Sequence, residues 1–88
     1  MELDKKVTIK FLKEKKTNRT YITGLEGFLI DSIIENITTD LKRRLGTGML
    51  KKNIEGIWMY GFQGDHRMAI KEYLVSKTNI TEDKIKIT

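Results

Sequence analysis

Residues 57–74 read Ile57-Trp-Met-Tyr-Gly-Phe-Gln-Gly-Asp-His-Arg-Met-Ala-Ile-Lys-Glu-Tyr-Leu74. The first six alternate, with Trp58, Tyr60 and Phe62 on one side and Ile57, Met59 and Gly61 on the other, the period of a β-strand. Gly64-Asp65 ends this strand. Asp65 then stands where a carboxylate can cap a helix whose Ala69, Ile70, Tyr73 and Leu74 share a face. A strong strand turning straight into an amphipathic helix implies an α/β mixture, and the surrounding chain decides which kind.

Upstream, Val7-Thr-Ile-Lys-Phe11 alternates as a half-buried strand with Val7, Ile9 and Phe11 inward. The polar run Lys13–Asn18 makes an exposed turn, and Arg19–Thr23 returns as a second strand, so a hairpin with a basic tip is expected. Ile30, Ile33, Ile34, Ile37, Leu41 and Leu45 then mark one face of a helix that ends at Gly46. Met49–Lys52 forms a short strand that Asn53–Gly56 turns back into the aromatic one, and Lys84–Ile87 alternates as the last strand, Ile85 and Ile87 inward. The order β-β-α-β-β-α-β predicts an α+β fold. It is a two-layer sandwich, a mixed or antiparallel sheet of about five strands with two helices on one face. Eighty-eight residues suffice for one modest core, so residues 1–88 are expected to be a single domain with a short flexible start over residues 1–6.

The composition is 39% hydrophobic and 33% charged, that of a globular chain. No apolar run approaches the ~20 residues that span a bilayer, and the start has no apolar signal-like stretch, so no membrane and a cytoplasmic location are expected. The absence of cysteine removes disulfides, thiolate metal sites and a cysteine nucleophile, and one histidine, His66, cannot build a multi-histidine site. Asp65-His66-Arg67 places acid, base and cation side by side. Consecutive helical residues point about 100° apart, so these do not converge on one reacting atom. With no phosphate-cradling glycine loop either, the chain reads as no enzyme, without cofactor or metal.

The formal charge is +5, and it is clustered. Residues 1–20 hold seven bases against three acids, residues 21–39 three acids and no base, and residues 40–52 five bases against one acid, while residues 53–88 balance at five each. Clustered positive charge is the footprint of a polyanionic partner. Lys42, Arg43 and Arg44 sweep more of the helix surface than its dipole needs, and Lys13, Lys15, Lys16 and Arg19 crowd one hairpin tip. Gly24-Leu-Glu-Gly27 has the spacing of an RNA-clamping GxxG loop, but it follows a strand and carries an acid, so it reads as a glycine turn. The aromatics of 58–62 lack the flanks of an RNA-stacking motif and read as core, which leaves phosphates and shape as the mode of binding.

Several of these segments together resemble the translation initiation factor 1 family. They are the opening hairpin Val7–Phe11 and Arg19–Gly24, the helix end Leu41-Lys-Arg-Arg-Leu-Gly-Thr-Gly48, the turn Gln63-Gly-Asp-His-Arg67 and the close Thr81–Ile87. The resemblance runs from about Val7 to Ile87 in the family's order and spacing. It implies a stand-alone factor of the small ribosomal subunit, monomeric and non-catalytic. Such a factor binds near the peptidyl site and promotes scanning and accurate start-codon selection. It implies that Lys13, Lys15, Lys16, Asn18 and Arg19 approach ribosomal RNA and that Lys42, Arg43 and Arg44 grip it. Lys51, Lys52 and Asn53 would face the initiator tRNA, and Gln63, Gly64, Asp65 and Arg67 would form the signature turn, with other initiation factors as further partners. The same domain also occurs in reinitiation and recycling factors. A general RNA-binding regulator of translation, and a protein adaptor using a sheet face with Thr8, Lys10, Met59 and Gly61, stand as rival readings.

Overall fold

The computed structural model describes residues 5–88, so the flexible start expected over residues 1–6 lies largely outside the described residues. Strands β1 (Val7–Lys13) and β2 (Asn18–Thr23) form the expected hairpin, paired antiparallel from Thr8↔Thr23 to Lys13↔Asn18. A 3-10 turn, Leu25–Gly27, leads to helix α1 (Asp31–Leu45). Strands β3 (Met49–Ile54) and β4 (Ile57–Gln63) form a second hairpin, followed by helix α2 (Arg67–Lys77) and strand β5 (Ile85–Ile87). The sheet order is β3-β4-β2-β1-β5. β5 pairs parallel to β1, which makes the sheet mixed, and the rest is antiparallel.

Register explains why both helices lie on one face. Ile9 opposes Ile22, which opposes Tyr60, and Thr20 opposes Phe62, so these side chains share a side. They pack with Ile34, Ile37 and Leu41 of α1 and Ile70 and Leu74 of α2 in one core cluster. The fold is α+β in two layers. α1 stops at Gly46, which takes φ 66°, a left-handed value that costs glycine little and lets its N–H reach the Lys42 and Arg43 carbonyls.

The structure corrects the side-chain assignment at five residues. Ile30 and Ile33 are 66% and 42% exposed. Ile30 is the extended residue before the helix, outside its stripe, and Ile33 lies on the flank of a core line that runs through Ile34, Ile37, Thr38 and Leu41. Thr38 takes the missing apolar place because its hydroxyl donates to the Ile34 and Glu35 carbonyls, at 3.0 and 3.1 Å. Trp58 is 37% exposed, because the β3–β4 ribbon runs on past the helices that cover Tyr60 and Phe62. Phe11 is half-buried beneath the Arg67 guanidinium, 5.0 Å from its ring centre, and Ala69 is exposed on α2.

The sheet face away from the helices carries an unexpected aromatic. Tyr21 opposes Gly61, lies flat over it and is 2% exposed. A Cβ at Gly61 would stand 2.7 Å from Tyr21 Cε1, closer than carbon atoms approach. Glycine in the middle of the best strand is therefore required by a neighbour, and the bare face that an adaptor would use is roofed at its centre. Gly61→Ala is expected to destabilise the domain by about 1–3 kcal/mol, the usual cost of overpacking, measured as a shift in denaturant midpoint. Adding Tyr21→Leu to Gly61→Ala should recover part of that loss, as contacting pairs couple.

Candidate nucleic-acid interface

The sheet topology brings three of the charged segments to one end of the molecule. β1 ends and β2 begins there, Gln63 of β4 opposes Arg19 of β2, and β3 begins there with Met49 opposite Phe62. α1 delivers its last turn to the same end through Gly46-Thr47-Gly48.

At the β1–β2 tip the Glu14 N–H donates to the Thr17 carbonyl at 3.0 Å and closes the loop. Glu14 then gathers its surroundings. Arg19 Nη1 donates to its Oε1 at 2.7 Å and the Tyr21 hydroxyl to its Oε2 at 3.1 Å. Lys52 Nζ stands 5.5 Å from the Tyr21 ring centre on the same face. The Arg19 pair, before the Tyr21 bond, holds the Glu14 carboxyl below its usual range. This corrects one expectation: Arg19 is not part of an unpaired cluster but half of an ion pair that ties the loop to the sheet. Lys13, Lys15 and Lys16 are exposed and enter none of the ion pairs seen among the described residues. Asn18 is exposed, and its carbonyl accepts the Gly64 N–H at 2.8 Å.

That last bond begins a dense staple around the signature turn. The Thr20 hydroxyl, fully buried, donates to the Gly64 carbonyl at 2.6 Å and accepts the His66 N–H at 2.9 Å. His66 Nε2 lies 2.8 Å from the Gln63 carbonyl. The N-cap position falls on His66, whose side chain makes no capping bond, and Asp65, one residue earlier, accepts the Arg67 N–H only at 3.4 Å. The Asp65 carboxylate makes its shorter bonds to the Arg67 guanidinium, Nε at 2.9 Å and Nη2 at 2.7 Å, so the expected cap is weakly made. Arg67 lowers the pKa of Asp65, first through these side-chain bonds. Arg67 also spans Phe11 and donates to the Thr88 carbonyl at 3.4 Å, so the turn, β1 and the chain end move as one piece. Asp65→Asn keeps an acceptor but loses the charge. It is expected to leave the fold intact at neutral pH and to flatten the loss of melting temperature on acidification, since the stability held by a depressed carboxyl is present above its usual 3.8 and vanishes below it.

At the end of α1 the three cations divide. Asp40 accepts Arg44 Nε at 3.1 Å and has Arg43 Nη1 at 3.6 Å. It also accepts the Tyr73 hydroxyl of α2 at 2.7 Å, and Arg44 lies 5.4 Å from the Tyr73 ring centre. Arg44 is thus built into the α1–α2 contact, whereas the Arg43 side chain is 76% exposed and Lys42 is exposed as well. Burial, and then the bond to Asp40, push the Tyr73 phenol up to about 12. Stability tied to that neutral phenol is whole below its ordinary value of 10 and is lost as pH rises through about 12. Melting curves across that alkaline range should fall for the native chain and fall less for Tyr73→Phe.

Lys51, Lys52 and Asn53 are not brought together. Lys51 and Asn53 oppose Tyr60 and Trp58 on the helix side, and Lys52 opposes Met59 on the other. Lys51 Nζ caps the Trp58 ring at 4.7 Å, and Asn53 Oδ1 accepts the Gly56 N–H at 3.1 Å to close the β3–β4 turn. They also sit toward the opposite end of the sheet from the β1–β2 tip. The Glu14–Arg19–Tyr21 cluster and the Asp40–Tyr73 bond were not anticipated from the sequence. The mid-strand Gly61 was the one available signal of the close approach of Tyr21.

No group of three or more His, Cys, Asp or Glu residues that could hold a metal occurs among the described residues, and no helix described is long and apolar enough to cross a membrane. The fold and its basic end define a small α+β domain with the charge of a polyanion binder. The sequence profile described as "Translation initiation factor SUI1" matches residues 3–81. A "Protein translation factor SUI1 homolog" of Methanopyrus kandleri is similar at 35% identity over 69 residues. That match covers 78% of this chain and 59% of the relative, so the chain spans little more than half of that protein's length. The chain belongs to the SUI1 family of translation initiation factors, as the resemblance in its hairpin, helix end and signature turn implied.

Proposed function

We propose that this protein binds the small ribosomal subunit in the cytoplasm, near the peptidyl site and the initiator tRNA, and there promotes scanning and accurate start-codon selection together with other initiation factors. It acts as a monomer and without catalysis or cofactor. The observation that carries the reading is the placement of Lys13, Lys15 and Lys16, with no ion pair among the described residues, at the end of the sheet that also receives Lys42 and Arg43. Exposed cations on a tip held rigid by Glu14–Arg19 and by the Gly64–Asn18 bond suit a phosphate backbone of fixed shape. Family membership names the process in which such a backbone is met.

Co-sedimentation with purified small subunits, run beside an equal mass of naked structured RNA over a salt series, tests this. Binding is expected to prefer the subunit and to weaken with salt at a log–log slope of about −0.7 to −0.9 per phosphate contact. Equal affinity for both would favour the general RNA-binding regulator, and salt-insensitive association would favour the adaptor.

A further inference from the structure

The groove between α1 and the β3–β4 ribbon is built in the reverse sense to the basic tip. Between the stretch of α1 from Asp31 to Thr39 and the β3–β4 ribbon lies a cleft of about 310 Å³. Trp58, Tyr60 and Met49 form its sheet side, and Asp31, Glu35 and Ile34 its helix side. Glu26 stands at its mouth, its carboxylate accepting the Trp58 N–H at 3.4 Å. The apolar surface continues past it at Ile30, exposed at the start of α1. Lys51 is the one cation among the residues lining the cleft, and its ammonium is engaged over the Trp58 ring. Burial and then Glu26 and Asp31 raise the Tyr60 pKa, so the negative potential reaches the cleft floor.

We infer that this cleft is a docking site for a short basic segment of a partner protein, which places an apolar side chain against Trp58 and its Lys or Arg residues against Glu26, Asp31 and Glu35. Charge complementarity selects the occupant. A nucleic-acid strand would bring phosphates to three carboxylates, and a membrane surface rich in anionic lipid would be repelled likewise. The exposed indole and Ile30 reward burial by a protein side chain, and aromatic pockets with a charged rim are where interface energy concentrates. The basic end and the acidic cleft then serve different partners at once: the domain bridges an RNA surface and a basic protein segment.

Trp58 is the single tryptophan of the chain, so its emission reports this cleft alone. The probe is a short tryptophan-free peptide alternating Arg with Leu, compared with its counterpart alternating Glu with Leu and with a single-stranded oligouridylate. The basic peptide is expected to shift Trp58 emission saturably, and the acidic one to leave it unchanged. Asp31→Asn with Glu35→Gln should weaken the basic peptide about tenfold, the sum of two exposed charge contacts. Glu35→Gln alone, which leaves the first turn of α1 untouched, should weaken it by a smaller factor. All variants should keep the native melting profile and native small-subunit affinity, which separates this site from the basic end. Absence of a saturable response to the basic peptide, or equal binding of the acidic one, overturns the inference. Tighter binding of the oligouridylate would assign the cleft to RNA, and Trp58 emission that changes with protein concentration, with a dimer in sedimentation, would assign it to a second copy.

Discussion

Replacing Phe62 by alanine is expected to remove about 3–5 kcal/mol of folding free energy. That is a large part of the ~5–15 kcal/mol that small domains hold, so the variant should be largely unfolded at physiological temperature. Phe62 is fully buried at the point where β4, β2 and the helices meet, and its strand partner Thr20 is locked to Gly64 and His66. The sheet cannot collapse into the void without breaking those bonds. Trp58→Ala, by contrast, removes a larger side chain at far lower expected cost, because water already reaches the ring. Denaturant titration of the two variants checks both values in one experiment. A folded Phe62→Ala protein that had lost RNA binding would instead make the aromatic a stacking platform.

The contrast between Phe62 and Trp58 also shows what a sequence can carry. Period two tells which side of a strand a residue faces, and it placed Tyr60 and Phe62 correctly. It does not tell how far along the strand the opposing helix reaches, and the β3–β4 ribbon outruns α1, so Trp58 falls beyond the cover. Helix ends were legible because Gly46 is a local requirement of the backbone. Charge clusters were legible as totals, but their pairing was not. Glu14 meets Arg19 across a loop, Asp40 meets Tyr73 from another helix, and Asp65 folds back on Arg67 where a cap was expected. These pairings depend on loop and turn conformation and, for Asp40 and Tyr73, on helix packing, none of which a one-dimensional charge count contains. The candidate interface is therefore smaller than the list of cations in it. Arg19 and Arg44 hold the scaffold, and Lys13, Lys15, Lys16, Lys42 and Arg43 are turned outward.

That division dictates how the interface should be tested. Changing Lys13, Lys15 and Lys16 together to glutamine removes three exposed charges and leaves the Glu14–Arg19 pair in place, whereas glutamate at these positions would compete for Arg19 and confound stability with binding. Three lost phosphate contacts should weaken small-subunit binding by about a hundredfold at moderate salt and make the log–log salt dependence shallower by roughly 2–3 units. The melting temperature should hold or rise, since mutual repulsion at the tip disappears. Arg19→Gln is the informative partner. It leaves the Glu14 carboxylate without its cation and frees the loop, so it should lower both melting temperature and affinity, with a salt slope changed by less than the triple variant's. In a start-codon reporter the triple variant should admit more non-AUG starts, because a factor that leaves the subunit early stops guarding the peptidyl site. If the triple variant kept native affinity and native slope at near-physiological salt, the tip would not be the RNA-facing element. The remaining candidates would then be Lys42 and Arg43, whose own double replacement by glutamine should carry the salt dependence instead.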